Sequence, residues 1–185
     1  MVSRSRSEFA VLVPLLDHEG ERCVLLTKRP ENMVRYAGQV SLPGGAREPG
    51  DSDLKATALR ETHEEVGIPP TAVNVVAELD WHETTIGHRI KPFVATVATA
   101  AAQRLVPNPR EVEQLLYLCV ATINGDLFKT RSFRSDRDGR QHTVLTFDLD
   151  GFEVWGLTAR ILRSAFIDPG PARNYAESPP EDGAA

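Results

Sequence analysis

Residues 43–68 read PGGAREPGDSDLKATALRETHEEVGI, a loop punctuated by glycine and proline that runs into a stretch containing neither. Pro43, Gly44, Gly45, Pro49 and Gly50 force the first half out of regular structure. Residues 53–66 then read as a helix, with Asp51 or Ser52 as cap and a stop at Gly67, Pro69 and Pro70. Turning that helix at about 100° per residue places Ala56, Leu59, His63 and Val66 on one side. This side is the expected core stripe, with His63 packed in it. Glu61, Glu64 and Glu65 fall together on the opposite side. Like charges at i, i+3 and i+4 repel by a few tenths of a kcal/mol per pair, roughly, so the cluster calls for an offsetting charge. A hard divalent cation, Mg²⁺ or Mn²⁺, prefers carboxylate and carbonyl oxygens and is commonly shared with substrate phosphates. Gly44 and Gly45 lack side chains and let backbone groups approach such a metal or a phosphate closely. Arg60, next to Glu61, is placed to orient a carboxylate through a bidentate contact.

Working outward, Glu8 begins an apolar run that ends at Leu16, and Arg22 opens a second that ends at Thr27. The two flank the turn Asp17-His18-Glu19-Gly20, the pattern of a hairpin. Short strands are expected around residues 39–42, 72–79, 90–98, 115–120 and 141–149, and a terminal amphipathic helix over 157–166. The pattern is mixed α+β. With 185 residues, 41% of them hydrophobic and 25% charged, the chain suits one globular domain. No apolar run reaches the roughly 18 residues of a membrane span, and no signal-peptide pattern follows Met1, so a cytoplasmic protein without membrane contact is expected. A net charge of −5 argues against a nucleic-acid backbone as partner and for a small nucleotide ligand. Cys23 and Cys119 lie in apolar segments and read as buried, reduced thiols without a chemical role. Residues 1–7 and the Pro-, Gly- and acid-rich residues 169–185 are expected to be flexible ends around a domain of residues 8–168.

The helix end, Arg60-Glu61-Thr62-His63-Glu64-Glu65-Val66-Gly67-Ile68, resembles the signature of the Nudix family, G-x5-E-x7-R-E-U-x-E-E-x-G-U with U bulky and apolar. It departs at Thr62. Gly45 to Arg60 is one residue longer than the pattern, so the early glutamate position falls on Asp51 or Ser52. That insertion is also seen in a subgroup similar to coenzyme A diphosphatases. The same subgroup resembles this chain at Leu25-Leu26-Thr27-Lys28-Arg29, at Gly38-Gln39-Val40-Ser41-Leu42-Pro43-Gly44-Gly45, at Asn108-Pro109-Arg110-Glu111-Val112-Glu113 and at Val154-Trp155-Gly156-Leu157-Thr158-Ala159-Arg160-Ile161-Leu162. Pro30, Val34 and Leu42 depart from it, and Arg35 stands one place late.

The resemblance implies an α/β/α sandwich with a mixed central sheet. It also implies cation-dependent hydrolysis of a diphosphate bond, with Mg²⁺ or Mn²⁺ held by Glu61, Glu64, Glu65 and Gly45, and with Glu64 and Arg60 in the catalytic machinery. Glu111, and after it Glu113, is the candidate general base from a later loop. Lys28, Arg29, Arg35, Gln39 and Gly44 are the candidate substrate contacts, the cations suiting the phosphates of coenzyme A. Coenzyme A or acyl-CoA, cut to 3′,5′-ADP and 4′-phosphopantetheine, is the expected substrate. ADP-ribose, NADH, a dinucleoside polyphosphate or an oxidised nucleotide stay open, as does a nucleotide-sensing module that does not cut. A homodimer is the default expectation for the fold.

Overall fold

The computed structural model describes residues 7–34, 36–84, 87–134 and 139–175. In chain order the elements are β1 (Glu8–His18), β2 (Glu21–Lys28), β3 (Val40–Ser41), β4 (Gly44–Ala46), α1 (Leu54–Val66), β5 (Val73–Glu78), β6 (His82–Glu83), β7 (Arg89–Val97) and α2 (Thr99–Ala102). They are followed by β8 (Gln114–Cys119), β9 (Lys129–Arg134), β10 (Gln141–Leu149), β11 (Phe152–Trp155) and α3 (Leu157–Phe166). The expected hairpin is present. Glu19 and Gly20 both take positive φ, 52° and 85°, which gives the two-residue turn whose twist matches its flanking strands.

The main sheet runs β3-β2-β1-β7-β5, with β4 on β1, β6 on β7 and β8 on β2. β1 and β7 are parallel and the other pairings antiparallel, so the sheet is mixed as expected. Its two faces are covered by different helices. Val13, Leu15, Val24 and Leu26 pack with Ile161, Leu162, Ala165 and Phe166 of α3. The alternate residues of the same strands turn the other way, Ala10 and Leu12 meeting Ala58 of α1, and Leu16 and Leu25 meeting Val66 at its end. β1 is therefore apolar at successive positions because both of its sides are buried. A separate antiparallel sheet, β11-β10-β9, adjoins the α3 side.

Helix α1 differs from its expected orientation. Its buried residues are Thr57, Ala58, Thr62, Glu65 and Val66, while His63 is exposed and Ala56 and Leu59 are half-buried. The core side is rotated toward the acids by about one residue's turn, ~100°. Two threonines explain the difference. Thr62 donates its hydroxyl to the Ala58 carbonyl at 2.7 Å and Thr57 donates to Asp51 Oδ2 at 2.9 Å, so both bury their methyl groups without an unsatisfied hydroxyl. The cap is Asp53, whose carboxylate accepts the Ala56 N–H at 2.7 Å, rather than Asp51 or Ser52.

β4, β6, β9, β11 and α2 have no counterpart in the expected pattern. β4 is built largely of glycine, a poor strand former, and β9 (Lys-Thr-Arg-Ser-Phe-Arg) is exposed along most of its length. Beyond α3 the chain stays packed through Tyr175: Ala172 is buried and the Tyr175 hydroxyl reaches the Val76 carbonyl at 3.4 Å. The expected tail thus includes a packed turn. Residues 1–6 and 176–185 lie outside the described residues, and at Ser7 the carbonyl already accepts the Arg89 N–H at 3.2 Å.

Candidate active site

The site forms where α1 crosses the Gly44-Gly45 strand. β4 pairs with β1 through Val11↔Gly44 and Ala10↔Gly45. At Gly44, with φ of 152°, a Cβ would run into the Ala10 carbonyl and the Val11 backbone. A Cβ on Gly45 would collide with the Glu61 carboxylate. Glycine is thus required at Gly44 by the sheet, and at Gly45 it leaves room for the acid that lies over it.

Arg60 is the hub beside this crossing. Its Nε and one terminal nitrogen bind the two oxygens of Asp51 at 3.0 and 3.1 Å, a fork-to-fork pair. The guanidinium also reaches Glu61 at 3.0 Å, Glu64 at 3.0 Å and the Ala46 carbonyl at 3.1 Å. Asp51 further accepts the Glu48 N–H and the Thr57 hydroxyl, both at 2.9 Å. The Arg60 hydrogen bonds, reinforced by these two, hold the Asp51 carboxyl well below the usual carboxylate range despite its burial. The insertion in the loop therefore delivers Asp51, not Ser52, to Arg60; Ser52 is exposed.

The three helix acids are used differently. Glu64 is exposed and faces Arg60 on the rim. Glu61 is largely buried, and its carboxyl is pushed up, chiefly by burial and against the pull of Arg60. Glu65 is 3% exposed, and burial pushes it up to about 8. The charge of Arg29 and the Gly44 N–H oppose that rise, while Glu61 and Glu111 add to it. Among the described residues, Glu65 Oε2 has no hydrogen-bond partner, and neither has the buried Nε of Arg29. No three carboxylates, imidazoles or thiols are gathered there into a finished cation cage. The inward acids are Glu61 and Glu65, and Glu64 stands aside.

Glu111 comes to the site from a loop that docks on the end of α1. Asn108 donates its backbone N–H to the Glu65 carbonyl at 2.8 Å, and its side-chain amide donates to Glu111 Oε1 at 3.2 Å. Its own Oδ1 accepts the Arg110 N–H at 3.1 Å, and its carbonyl accepts the N–H groups of Glu111 and Val112. Asn108 had no assigned role in the sequence, although asparagine before proline is the usual signal for a side chain that ties its own turn. Glu113 is committed elsewhere: it pairs with Lys28 at 3.1 Å, which also meets Glu31 at 3.2 Å. Lys28 is buried in these ion pairs. Arg29 faces the acids instead, with its backbone N–H on the Gln39 carbonyl at 2.9 Å. Arg35 lies outside the described residues.

The chain matches the NUDIX domain family over residues 6–138. It belongs to the Nudix family. It is 36% identical over 183 residues to Nudix hydrolase 22, chloroplastic, of Arabidopsis thaliana, covering 91% of this chain and 60% of that protein's length. It is 34% identical over 161 residues to the uncharacterized Nudix hydrolase NudL of Yersinia pestis, covering 87% of this chain and 79% of the relative. A solved MutT/nudix family protein from Enterococcus faecalis shares the fold, with a TM-score of 0.58 at 15% identity over 97% of this chain and 66% of the other. Nudix hydrolases act on diphosphate bonds and generally need divalent cations. Among the described residues no helix is long and apolar enough to cross a membrane.

Proposed function

We propose that this Nudix chain hydrolyses the diphosphate bond of a nucleoside-diphosphate-linked compound, with coenzyme A or acyl-CoA as substrate and 3′,5′-ADP and 4′-phosphopantetheine as products. One observation carries the hydrolytic reading. Glu65 is buried and Glu61 largely so, with Glu65 Oε2 and the Nε of Arg29, whose charge acts on Glu65, both unpartnered among the described residues. A buried carboxylate oxygen without a donor is costly unless a cation or a ligand completes it. The donor set is all oxygen, which suits Mg²⁺ or Mn²⁺ and not a thiophilic metal. Glu61 and Glu65, joined by Glu64 from the rim, are the residues to hold it, while the Gly45 carbonyl expected with them belongs to the ladder with Ala10.

Bound there, the metal supplies charge neutralisation of the diphosphate and acidifies a coordinated water. The chain's residues do the rest. Arg60 fixes Glu61 and Glu64 and is itself fixed by Asp51, so the carboxylates are set before substrate arrives. Arg29, which acts on Glu65, is the guanidinium to meet the diphosphate oxygens. Glu111, steadied by Asn108, is placed to take the proton from the attacking water.

The coenzyme A reading rests on the segments around Lys28–Arg29 and Gln39–Gly45, and it is narrower than the hydrolytic one. With Lys28 tied to Glu31 and Glu113, Arg29 is the described cation left for the phosphates, and Arg35 is a candidate from the sequence alone. ADP-ribose, NADH, dinucleoside polyphosphates and oxidised nucleotides are the competing substrates. A cytoplasmic, homodimeric enzyme completes the proposal.

The test is a substrate panel with Mg²⁺ or Mn²⁺, products identified by mass spectrometry, repeated with excess chelator. Release of 4′-phosphopantetheine and 3′,5′-ADP, abolished by chelation, is expected. Rapid turnover of another panel member with coenzyme A inert removes the coenzyme A reading and leaves the hydrolase. Binding of every panel member without any product makes the chain a sensing module.

A further inference from the structure

At the hairpin end of the sheet, far from the acids, Cys23 on β2 stands directly opposite Cys119 on β8. Their Sγ atoms are 3.5 Å apart. The same pair of strands runs to Lys28↔Gln114 at the end that carries the site. Five residues at about 3.3 Å each put the thiols roughly 16 Å along β2 from Lys28. They line a cavity of about 240 Å³ with His18, Glu21, Tyr117 and Asp150. The His18 ring lies flat on Tyr117 at 3.5 Å and forms one wall. Cys119 is half-buried at the cavity rim and donates its S–H to Glu21 Oε2 at 2.9 Å, while Cys23 lies behind it, 1% exposed.

We propose that Cys23 and Cys119 are a redox modification site, a dithiol that closes to a cross-strand disulfide when a hydroperoxide enters this cavity. The backbone already allows it. Directly opposed antiparallel residues hold their Cα atoms about 4.5–5.5 Å apart, within the roughly 4.4–6.8 Å that a disulfide spans. Only the sulfurs move, from 3.5 Å to about 2.0 Å, by side-chain rotation. In the first step Cys119, its proton passed to the Glu21 carboxylate, attacks the peroxide, and the O–O bond breaks to give a sulfenic acid and, once protonated, water or an alcohol. In the second, the Cys23 sulfur attacks Cys119, the S–O bond breaks, and the hydroxide leaves with the Cys23 proton as water. Two thiols and one hydroperoxide become one disulfide, one water from the sulfenic acid and the reduced peroxide.

In the reduced protein both thiols hold their protons. Burial first, and then the hydrogen-bonded Cys119, push the Cys23 thiol up to about 12, and the Glu21 carboxylate raises Cys119. Since the thiolate is the nucleophile, the pair answers to sustained oxidant and ignores brief exposure. The disulfide joins positions 96 apart in sequence and so removes freedom chiefly from the unfolded chain.

Full-length protein is incubated with hydrogen peroxide, denatured, treated with a thiol alkylating agent and weighed intact, and its melting temperature is followed in parallel. The expected product has lost two hydrogens, takes up no alkylating agent, melts several degrees higher and returns to the dithiol with a reductant. Digestion links the Cys23 and Cys119 peptides to one another. Cys23→Ser and Cys119→Ser proteins, each checked for a native melting curve before treatment, do not lose the two hydrogens or gain in melting temperature. Two alkylatable thiols after prolonged oxidant, a Cys119 that proceeds to sulfinic acid, or a disulfide between two chains each overturns the proposal.

Discussion

Arg60 and Arg29 both border the carboxylates of α1, and they are used in opposite ways. Arg60 is saturated: Asp51, Glu61, Glu64 and the Ala46 carbonyl take up its donors, and Asp51 in turn is filled by Glu48 and Thr57. Arg29 keeps a buried Nε without a partner, close to a glutamate whose Oε2 also has none. A closed network gives rigidity and asks for nothing further. An open one is an energetic deficit that a metal or a phosphate can remove, so the two arginines separate the scaffold of the site from its working face.

Substitutions that act on one arginine's surroundings and not the other's test this separation. The largest effect is expected from Glu65→Gln, which removes the ionisable oxygen ligand from the open side. Turnover should fall by about 10³-fold, while the melting temperature holds or rises because a buried carboxylate is gone. Unchanged turnover with every substrate would return α1 to a purely structural role. Asp51→Ala should do the reverse, unfolding the protein about 3 kcal/mol more easily in urea by leaving Arg60 with an unpaired fork. If stability were untouched and only turnover fell, the closed network would not be scaffold.

Arg29→Ala should raise KM about tenfold or more with little change in melting temperature, by removing one charge-assisted contact to phosphate. A fall in kcat at constant KM would move Arg29 from binding to chemistry. Asn108→Ala, which releases Glu111 while leaving its carboxylate intact, should lower kcat about tenfold at near-constant KM, and should add nothing on top of Glu111→Gln. The smallest effect concerns acid. Asp51 has its folded pKa depressed below the unfolded value of ~3.9, so its stabilisation is complete above that value and is lost only as pH falls through the folded one. Between pH 7 and ~5 the urea midpoints of wild type and Asp51→Asn should therefore keep a constant difference, which narrows only in stronger acid.

Much of this was legible in the residues. The glycine pair, the helix and its stop at Gly67 and the opening hairpin follow from local signals that tertiary contacts do not override, whereas the mixed sheet follows from the family resemblance. The rotation of α1 was not legible, because Thr57 and Thr62 count as polar until one sees that each spends its hydroxyl locally. His63 was misplaced for the same reason. The fate of the cations was equally hidden: nothing near Lys28 in sequence announces that Glu113, 85 residues on, will neutralise it. Whether a charge is free or already matched is a property of the assembled sheet.

The parallel pairing of β1 with β7 sets the order in which these groups can meet. Glu8 finds Arg89, and Glu65 receives the Asn108 amide, only after some hundred residues of chain exist. Glu61 and Glu65 are thus made well before the strand that completes their sheet and the loop that brings Glu111. Closing such distant contacts is the slow part of folding. The hairpin and α1 can take shape early, and the cluster proposed to bind a cation is assembled only at the end, so on that proposal metal added to a nascent or unfolded chain finds little to hold it.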